Sequence, residues 1–210
     1  RKNVLDLAGM PLIAWTIKAA QKSEYITDVI LSSDDDEIIK VAQEYDCNVP
    51  FKRPSYLATD DAPSVDVLFH ALEGLQGYDF IVLLQPTSPL RTADDIDNAF
   101  ELMIKSESES CVSVCETKKS PYWMYSLGPD GRLVKLLTTS TSDTNRQSLP
   151  STFELNGAIY VLSTEILFRH RNLVPEKTIA YVMDRKVSID IDSFSDLEKC
   201  RTHLKEVAHD

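Results

Sequence analysis

The 210-residue sequence has little cysteine and no long apolar run. Its four cysteines form no CxxC pair, which argues against a clustered zinc site and against a disulfide framework, so we expect free thiols in a reducing cytoplasm: Cys47, Cys111, Cys115 and Cys200. No apolar stretch approaches the roughly 20 residues that cross a bilayer. The first residues, RKNVLDLAGM, also lack the shape of a secretory signal, and we expect no membrane partner.

Basic residues are in the minority, with 22 Lys and Arg against 33 Asp and Glu and a formal net charge of -11. This balance disfavours a nucleic-acid partner, and it implies that any anionic substrate is held by a locally basic pocket. What the chain does have is 43% hydrophobic residues, enough for one sizeable core. We therefore expect a single domain over 1–210.

Strand and helix patterns alternate along the chain. Apolar, β-branched runs predict strands at 26–33, 78–85, 110–117, 155–163, 178–183 and 186–192. Segments with helical spacing and capping residues predict helices at 34–46, 63–76, 92–106 and from about 195. This alternation predicts an α/β fold with a mainly parallel sheet and helices on both faces. Between 120 and 150 it is interrupted by two short apolar segments around GPDG and a polar Ser/Thr loop, which indicate a hairpin arm.

Two motifs follow predicted strands, where open α/β sheets bind their ligands. LLQPTSPLR places a Thr-Ser pair between two prolines directly after a buried strand, and its simpler interpretation is a rigid turn. SIDID places Asp190 and Asp192 two positions apart in a predicted strand, so that both would face one side about 7 Å apart. Such a pair suits one cation, although both could instead be strand-end acids that cap the following helix.

These motifs resemble those of the CMP-sialic acid synthetases and of the relatives that activate legionaminic acid and other nonulosonic acids. The resemblance covers nearly the whole chain through five blocks in the family's order: RKNVLDLAGMPLIAWTI, RPSYLATDDAPSVDV, LLQPTSPLRT, LNGAIYV and SIDIDSFSDLE. It implies a doubly wound nucleotidyltransferase fold, active as a homodimer through a projecting arm, here 120–150. It also implies that the family's first strand and phosphate loop would precede Arg1.

The resemblance implies a reaction between CTP and a nine-carbon 2-keto sugar acid that gives the CMP-sugar and pyrophosphate, with Mg²⁺ or Mn²⁺ held by Asp190 and Asp192. It assigns Lys2, which would also be catalytic, and Asn3, Arg53 and Ser64 to the nucleotide. To the acceptor it assigns Gln85, Thr87, Asn156, Tyr160 and an arm arginine, Arg146. Without the resemblance, Lys2 and Arg53 could be surface residues, Asn156 a turn device, and Tyr160 a core aromatic.

Two features concern the sugar. Glu154 stands where sialic acid enzymes can carry a basic residue, and the predicted arm contains the aromatic stretch PYWMY. Both leave CTP activation in place and put legionaminic acid and similar sugars beside sialic acid as candidate acceptors. Two alternatives remain at this stage: a Kdo-type or other sugar nucleotidyltransferase, and a noncatalytic nucleotide-binding or scaffold protein.

Overall fold

The structure is a computed structural model in which residues 2–59, 61–75, 77–137 and 149–207 are described. Its strands are β1 (Asp6–Leu7), β2 (Met10–Pro11), β3 (Phe80–Leu83), β4 (Ser110–Glu116), β5 (Tyr125–Leu127), β6 (Leu133–Lys135), β7 (Phe153–Ser163) and β8 (Ile179–Val182). Its helices are α1 (Leu12–Lys22), α2 (Asp36–Glu44), α3 (Ser64–Glu73), α4 (Ala93–Lys105), α5 (Thr164–His170) and α6 (Phe194–Val207). Three single 3₁₀ turns lie at Lys2–Val4, Ser55–Leu57 and Pro121–Trp123.

The central sheet has the strand order β3-β7-β4-β8. β4 and β8 are parallel, and β7 is antiparallel to both β3 and β4, so three of the four strands point the same way. Tyr160 of β7 is paired with Leu83 on one side and with Val112 on the other. The predicted α/β fold with strands mainly in one direction is confirmed, and the strand that carries LNGAIY is the exception in direction.

Helices cover both faces of this sheet, as the near-continuous apolar strands predict. On one face α1 and α4 pack on β4, β7 and β8, with Ile96 and Met103 fully buried against Ile159. On the other face α3 and α5 cover β4 and β7 through Leu68 and Leu167. The two central strands, β4 and β7, are therefore buried over most of their lengths.

A separate apolar cluster joins the two ends of the chain. Leu7 and Leu12 pack with Leu90, Ile191 and Leu197, and Cys200 completes the cluster. Ile191 is 1% exposed, so it fixes the segment before α6 against the loop that follows β3. This cluster brings the QPTSPLR and SIDID motifs to one place.

Two predicted strands are absent among the described residues. Segment 26–33 makes only an isolated parallel bridge between Ile30 and Asn48. Its backbone bonds to Asn48 and, farther along, to Arg53, and these hydrogen bonds do not form a continuous ladder. Segment 186–192 is not a strand either, because its first residues form a turn in which Val187 N–H donates to Asp184 O and Ser188 N–H donates to Arg185 O. The prediction that Asp190 and Asp192 lie in a regular strand is therefore wrong.

The predicted hairpin is present where the sequence placed it. β5 and β6 pair antiparallel, with Leu127 opposite Leu133, around a turn in which Gly131 has a positive φ of 78°. The rest of the predicted arm, 138–148, lies outside the described residues. None of the helices in the part of the chain that the structure describes is long and apolar enough to cross a membrane.

Candidate functional site

The loop after β3 folds back on itself and is buried more deeply at its far end. Ser88 N–H donates to the carbonyl of Gln85 at 3.2 Å, which closes the turn. Gln85 and Thr87 are half-buried, whereas Ser88 is fully buried. The stiff Pro-flanked crossing thus leaves Gln85 and Thr87 at the rim of the protein, next to the end of β3.

A backbone hydrogen bond joins this loop to the SIDID motif. Ile191 N–H donates to Thr87 O at 2.8 Å, and the Ile191 side chain is buried beneath. Asp190 and Asp192, on either side of it, are both exposed. The predicted alternation of buried apolar and exposed acidic residues is therefore retained without a strand. Ile191 is held by its backbone and its side chain, and the carboxylates on either side of it lie at the surface.

The two aspartates differ in their surroundings. Lys2 Nζ lies 3.2 Å from Asp192 Oδ1 in an exposed ion pair. Asp190 has no hydrogen-bond or ion-pair partner among the described residues. The pKa of the Tyr160 hydroxyl is raised by its burial and further by the negative charge of Asp190. Asp190 is therefore the free carboxylate of the pair, and Tyr160 is protonated beside it at neutral pH.

Helix capping does not account for these aspartates. Ser193 caps α6: its Oγ accepts from Asp196 N–H at 3.4 Å, while Ser193 N–H donates to Asp196 Oδ2 at 3.0 Å. This reciprocal arrangement is a capping box, and it uses the residue after the motif. Asp190 and Asp192 remain available to a cation, and two exposed carboxylates are the oxygen ligands that Mg²⁺ prefers.

Asn156 has a different environment from the other predicted acceptor residues. It is 5% exposed; its Oδ1 accepts from Ser113 Oγ at 2.6 Å, and its Nδ2 donates to Ser188 Oγ at 2.9 Å. Ser88 Oγ also donates to its backbone carbonyl at 3.2 Å. The side chain thus links β7 to β4 and to the turn before SIDID, and the backbone carbonyl links it to the QPTSPLR loop.

Gly157 is the point at which the Gln85 side chain meets β7. Its φ is +70°, and a Cβ built there would lie 2.5 Å from Gln85 Oε1. Glycine therefore meets two requirements at this position, a left-handed backbone and space for the carboxamide. Gln85, Thr87 and Tyr160, all assigned to the acceptor, are gathered at the end of β3 next to the aspartates.

An arginine that the sequence analysis left unassigned lies under this loop. Arg91 is 3% exposed; its Nε donates to Ala158 O at 2.8 Å and its Nη1 donates to Thr16 Oγ1 at 2.8 Å. Its Nη2 donates to the carbonyl of Gln85. Burial lowers the pKa of Arg91 to about 9, and the charge of Asp95 opposes that shift. The only sequence signal for this buried, hydrogen-bonded arginine was its position at the end of the Pro-rich turn.

The predicted nucleotide residues lie in two groups. Lys2 touches Asp192, and Asn3 is beside it in the same 3₁₀ turn. Arg53 is held by an ion pair from Nη2 to Asp34 Oδ1 at 3.3 Å, and Ser64 is the exposed first residue of α3. Within the described segments no hydrogen bond or ion pair joins Arg53 or Ser64 to the aspartates. Arg146 lies outside the described residues.

Buried polar atoms without partners cluster around Arg53. Among the described residues, these atoms are Ser32 Oγ, Arg53 Nε and His70 Nδ1. Arg53 N–H donates to Ser33 O at 2.9 Å, and the His70 ring lies edge-on to Phe51 at 4.9 Å, so all three border segment 51–53. Leaving a buried polar group unpaired costs roughly 1–3 kcal/mol, which a polar ligand or water would relieve. No sequence signal pointed to Ser32 or His70.

An open cleft of about 530 Å³ lies where β4 and β8 end and β7 begins. Phe153, Met183 and Arg185 are among its lining residues, and the Met183 sulfur is 3.3 Å from Asn156 Nδ2. Arg185 Nη2 lies 2.8 Å from Glu154 Oε1, so the acid noted in the sequence is paired. The cleft continues the candidate site toward the base of the hairpin.

Sequence comparison decides the family. The profile described as cytidylyltransferase matches residues 1–206. The chain belongs to the cytidylyltransferase family. Among its relatives is a Legionella pneumophila CMP-N,N'-diacetyllegionaminic acid synthase, 34% identical over 91% of this chain and 84% of that protein. Another is a Campylobacter coli post-translational flagellin modification protein B, 29% identical over 98% of this chain and 88% of that protein.

A third relative and a solved structure agree with this family. An Escherichia coli N-acylneuraminate cytidylyltransferase is 32% identical over 94% of this chain, which spans 46% of that longer protein. A CMP:2-keto-3-deoxy-manno-octonic acid synthetase solved with CTP superposes with a TM-score of 0.71 at 14% identity, covering 98% of this chain and 92% of that one. At this identity the superposition shows the fold, which is the doubly wound nucleotidyltransferase fold that the sequence predicts.

Proposed function

We propose that this cytidylyltransferase-family chain transfers CMP from CTP to the anomeric hydroxyl of a nine-carbon 2-keto sugar acid. The hydroxyl oxygen attacks the α-phosphorus, the bond from that phosphorus to the bridging oxygen breaks, and pyrophosphate leaves while the hydroxyl proton is lost. The observation that carries the proposal is the Ile191–Thr87 hydrogen bond. It supports the proposal because it joins the segment between two exposed carboxylates to the loop of Gln85 and Thr87, the proposed acceptor residues.

Asp190 and Asp192 would hold Mg²⁺ or Mn²⁺ in this proposal. Both are exposed, and neither is needed for the cap of α6. The bound ion would offset the negative charge that develops on the phosphate oxygens. Lys2 would bring a second positive charge to the triphosphate from its position beside Asp192, and Asn3 lies next to it.

The nucleotide would extend from Lys2 toward segment 51–53 and the start of α3. Arg53 and Ser64 would contact it there, and the unpartnered atoms Ser32 Oγ, Arg53 Nε and His70 Nδ1 would give it donors and acceptors. Because the overall charge is -11, an anionic substrate needs local positive charge, and Lys2 and Arg53 would supply it at the two ends of the nucleotide.

The acceptor would lie against Gln85, Thr87 and Tyr160. Because its pKa is raised, the Tyr160 hydroxyl keeps its proton and acts as a hydrogen-bond donor, not as a base. Arg146 would meet the acceptor carboxylate from the partner subunit of a homodimer, and Asn156 would contribute by fixing the pocket wall. Relatives named for neuraminic, pseudaminic and legionaminic acids make nonulosonic acids the proposed acceptor class.

We propose that the protein acts in the cytoplasm. All four cysteines are free thiols, as predicted, and the structure shows that all are buried. Burial raises the pKa of Cys47, Cys111 and Cys200 to about 11. Such thiols are protonated and unreactive.

The test measures pyrophosphate release from CTP with Mg²⁺ and a panel of sugar acids, using the complete gene product. Asp190→Asn and Asp192→Asn should each lower the rate by ~10² or more, since several kcal/mol of charge stabilisation is lost. Their folding should survive, because the Lys2–Asp192 pair is exposed and worth less than about 1 kcal/mol. Glu165→Gln, which breaks an exposed pair with Arg169 on α5 instead, is the control.

Three results would contradict the proposal. Near-normal turnover in both aspartate variants would show that these residues are structural. Use of an eight-carbon sugar acid, or of UTP, GTP or ATP in preference to CTP, would indicate another sugar nucleotidyltransferase. Binding of CTP without turnover on any sugar acid would indicate a noncatalytic homologue.

A further inference from the structure

Arg91 is a buried charge that stability alone does not explain. It is 3% exposed, and in the described part of the chain no carboxylate is within ion-pair distance of it. A buried charge without an ion-pair partner carries a desolvation cost, which its hydrogen bonds to neutral acceptors must offset. The three groups that accept its hydrogen bonds therefore indicate its role.

Each of those acceptors belongs to an element that borders the candidate site. The carbonyl of Gln85 lies two residues beyond the end of β3, the carbonyl of Ala158 lies in β7 next to Gly157, and Thr16 Oγ1 belongs to α1. The planar guanidinium presents its donors in a fixed fork, so these three acceptors are held at set directions from one another. A single side chain thereby fixes the exit of β3 against β7 and against a helix.

The fixed carbonyl of Gln85 has two consequences for the site. The Gln85 carboxamide lies against Gly157, at the position that a Cβ there would occupy. Two residues later, Thr87 O accepts the hydrogen bond from Ile191, the residue between the two aspartates. A shift of this loop would therefore move an acceptor group and the pair of carboxylates relative to each other.

We propose that Arg91 is a positioning residue for cytidylyl transfer, which acts through the Gln85 carbonyl to hold the 85–87 loop in register with β7 and with Asp190 and Asp192. This role rests on the proposed function. Arg91 has no contact with substrate in it. Its effect is on how accurately Gln85 and the carboxylates are placed, which is a property that turnover reports and stability does not.

The first test is Arg91→Lys, which keeps the charge but cannot reach three acceptors with one amine. We expect kcat/KM for the acceptor to fall by about 10²-fold, because small misplacements of reacting groups reduce rates by that order. The Kd for CTP, measured by calorimetry, should stay near the wild-type value. The control is Val41→Ala, a half-buried position in the α1–α2 cluster, which contains none of the residues assigned to substrate. At a temperature where both variants are folded, the control should keep wild-type turnover, and an equal loss in both would overturn the proposal.

The second test is a double-mutant cycle with Gln85→Ala. If Arg91 acts through Gln85, adding Arg91→Lys to Gln85→Ala should lower turnover much less than Arg91→Lys does in the wild type. Additive losses would overturn the proposal. Should Arg91→Lys fail to fold, Thr16→Val removes only one acceptor and enters the same cycle with the same criteria. A wild type without transfer of CMP would refute the proposed function and this role with it, whereas an active wild type with additive losses refutes this role alone.

Discussion

At the scale of single residues, Gly157 is the most constrained position beside the proposed acceptor. Gly157→Ala should shift the Gln85 carboxamide, since a Cβ would lie 2.5 Å from Gln85 Oε1 and a flexible side chain is the part that gives way. We expect the KM for the acceptor to rise about tenfold or more, with CTP binding little changed, as when a polar group that orients a sugar loses its place. Initial rates against acceptor concentration and calorimetry with CTP measure the two effects.

Gly77 provides the control for backbone strain. Its φ is +90°, and a Cβ there meets nothing within 4 Å. Alanine in the left-handed region costs roughly 1 kcal/mol, so Gly77→Ala and Gly157→Ala should lower the Tm by similar amounts. Gly77→Ala should leave the acceptor KM unchanged. If both alanine variants changed the KM equally, contact with Gln85 would not be the cause.

At the scale of elements, the first turn of α6 adjoins the two aspartates and depends on one carboxylate. Hydrogen bonds from Lys199 Nζ at 2.7 Å and from Ser193 hold the pKa of Asp196 well below its usual range. A carboxyl whose pKa is lower in the folded state stabilises the fold above its unfolded pKa of about 4 and loses that contribution as the pH falls below it. The capping of α6 is therefore sensitive to acid.

Asp196→Asn should reveal this dependence. The free energy of unfolding of the wild type should exceed that of the variant at pH 7. The difference should shrink as the pH is lowered from about 4 toward 2, because Asp196 takes up a proton in the unfolded chain while the folded chain still holds it ionised. Urea unfolding at several pH values measures it. Glu206→Gln, which removes an exposed acid from the other end of α6, is the control. A difference that stayed constant with pH would contradict the assigned role of Asp196.

Sequence patterns predicted the helices better than the strands. Thr92 and Asp95 form the capping box of α4, and Asp35 caps α2, because these signals are local in the chain. The strand at 26–33 was predicted from the same β-branched residues that make real strands elsewhere, yet its backbone bonds only to Asn48 and Arg53 among the described residues, without a ladder. Whether a strand forms depends on a neighbour that local sequence does not specify.

The candidate site was predictable where motif and local structure coincide. The exposed aspartates and the loop at Gln85 and Thr87 lie together as expected. The supporting residues were not predictable, because Ser113 and Ser188 reach Asn156 from 43 and 32 positions away. A serine in a strand or a turn carries no sign of such a distant partner, and the burial of Arg91 likewise depends on packing of remote elements.

At the scale of the whole molecule, the hairpin carries exposed apolar side chains that we propose as the homodimer contact. Leu127 and Leu133 are 74% and 67% exposed, and they are opposite each other across the two strands. Apolar groups that project together from a soluble chain mark an interaction surface. The wild type should therefore have twice the mass of its own monomer by light scattering at micromolar concentration.

The double variant Leu127→Lys, Leu133→Glu should dissociate the dimer. Opposite charges across the strand pair keep the hairpin favourable while the apolar contact is lost. Phe168→Lys, which charges an apolar residue 53% exposed on α5, should remain dimeric. A monomeric wild type would refute the homodimer. Dissociation by the α5 variant alone would show that the dimer contact lies at α5 and not at the hairpin.

The position of β7 also has a consequence for how the chain is made. β3 and β4 are synthesised early and never pair with each other; the strand that fills the gap between them begins only at Phe153. A nascent chain that has emerged only as far as 150 therefore presents two open strand edges, Phe80–Leu83 and Ser110–Glu116, and such edges invite pairing with other chains. The same late strand carries Asn156, Gly157 and Tyr160, so the ribosome must release the C-terminal quarter of the chain before the substrate pocket has its central wall.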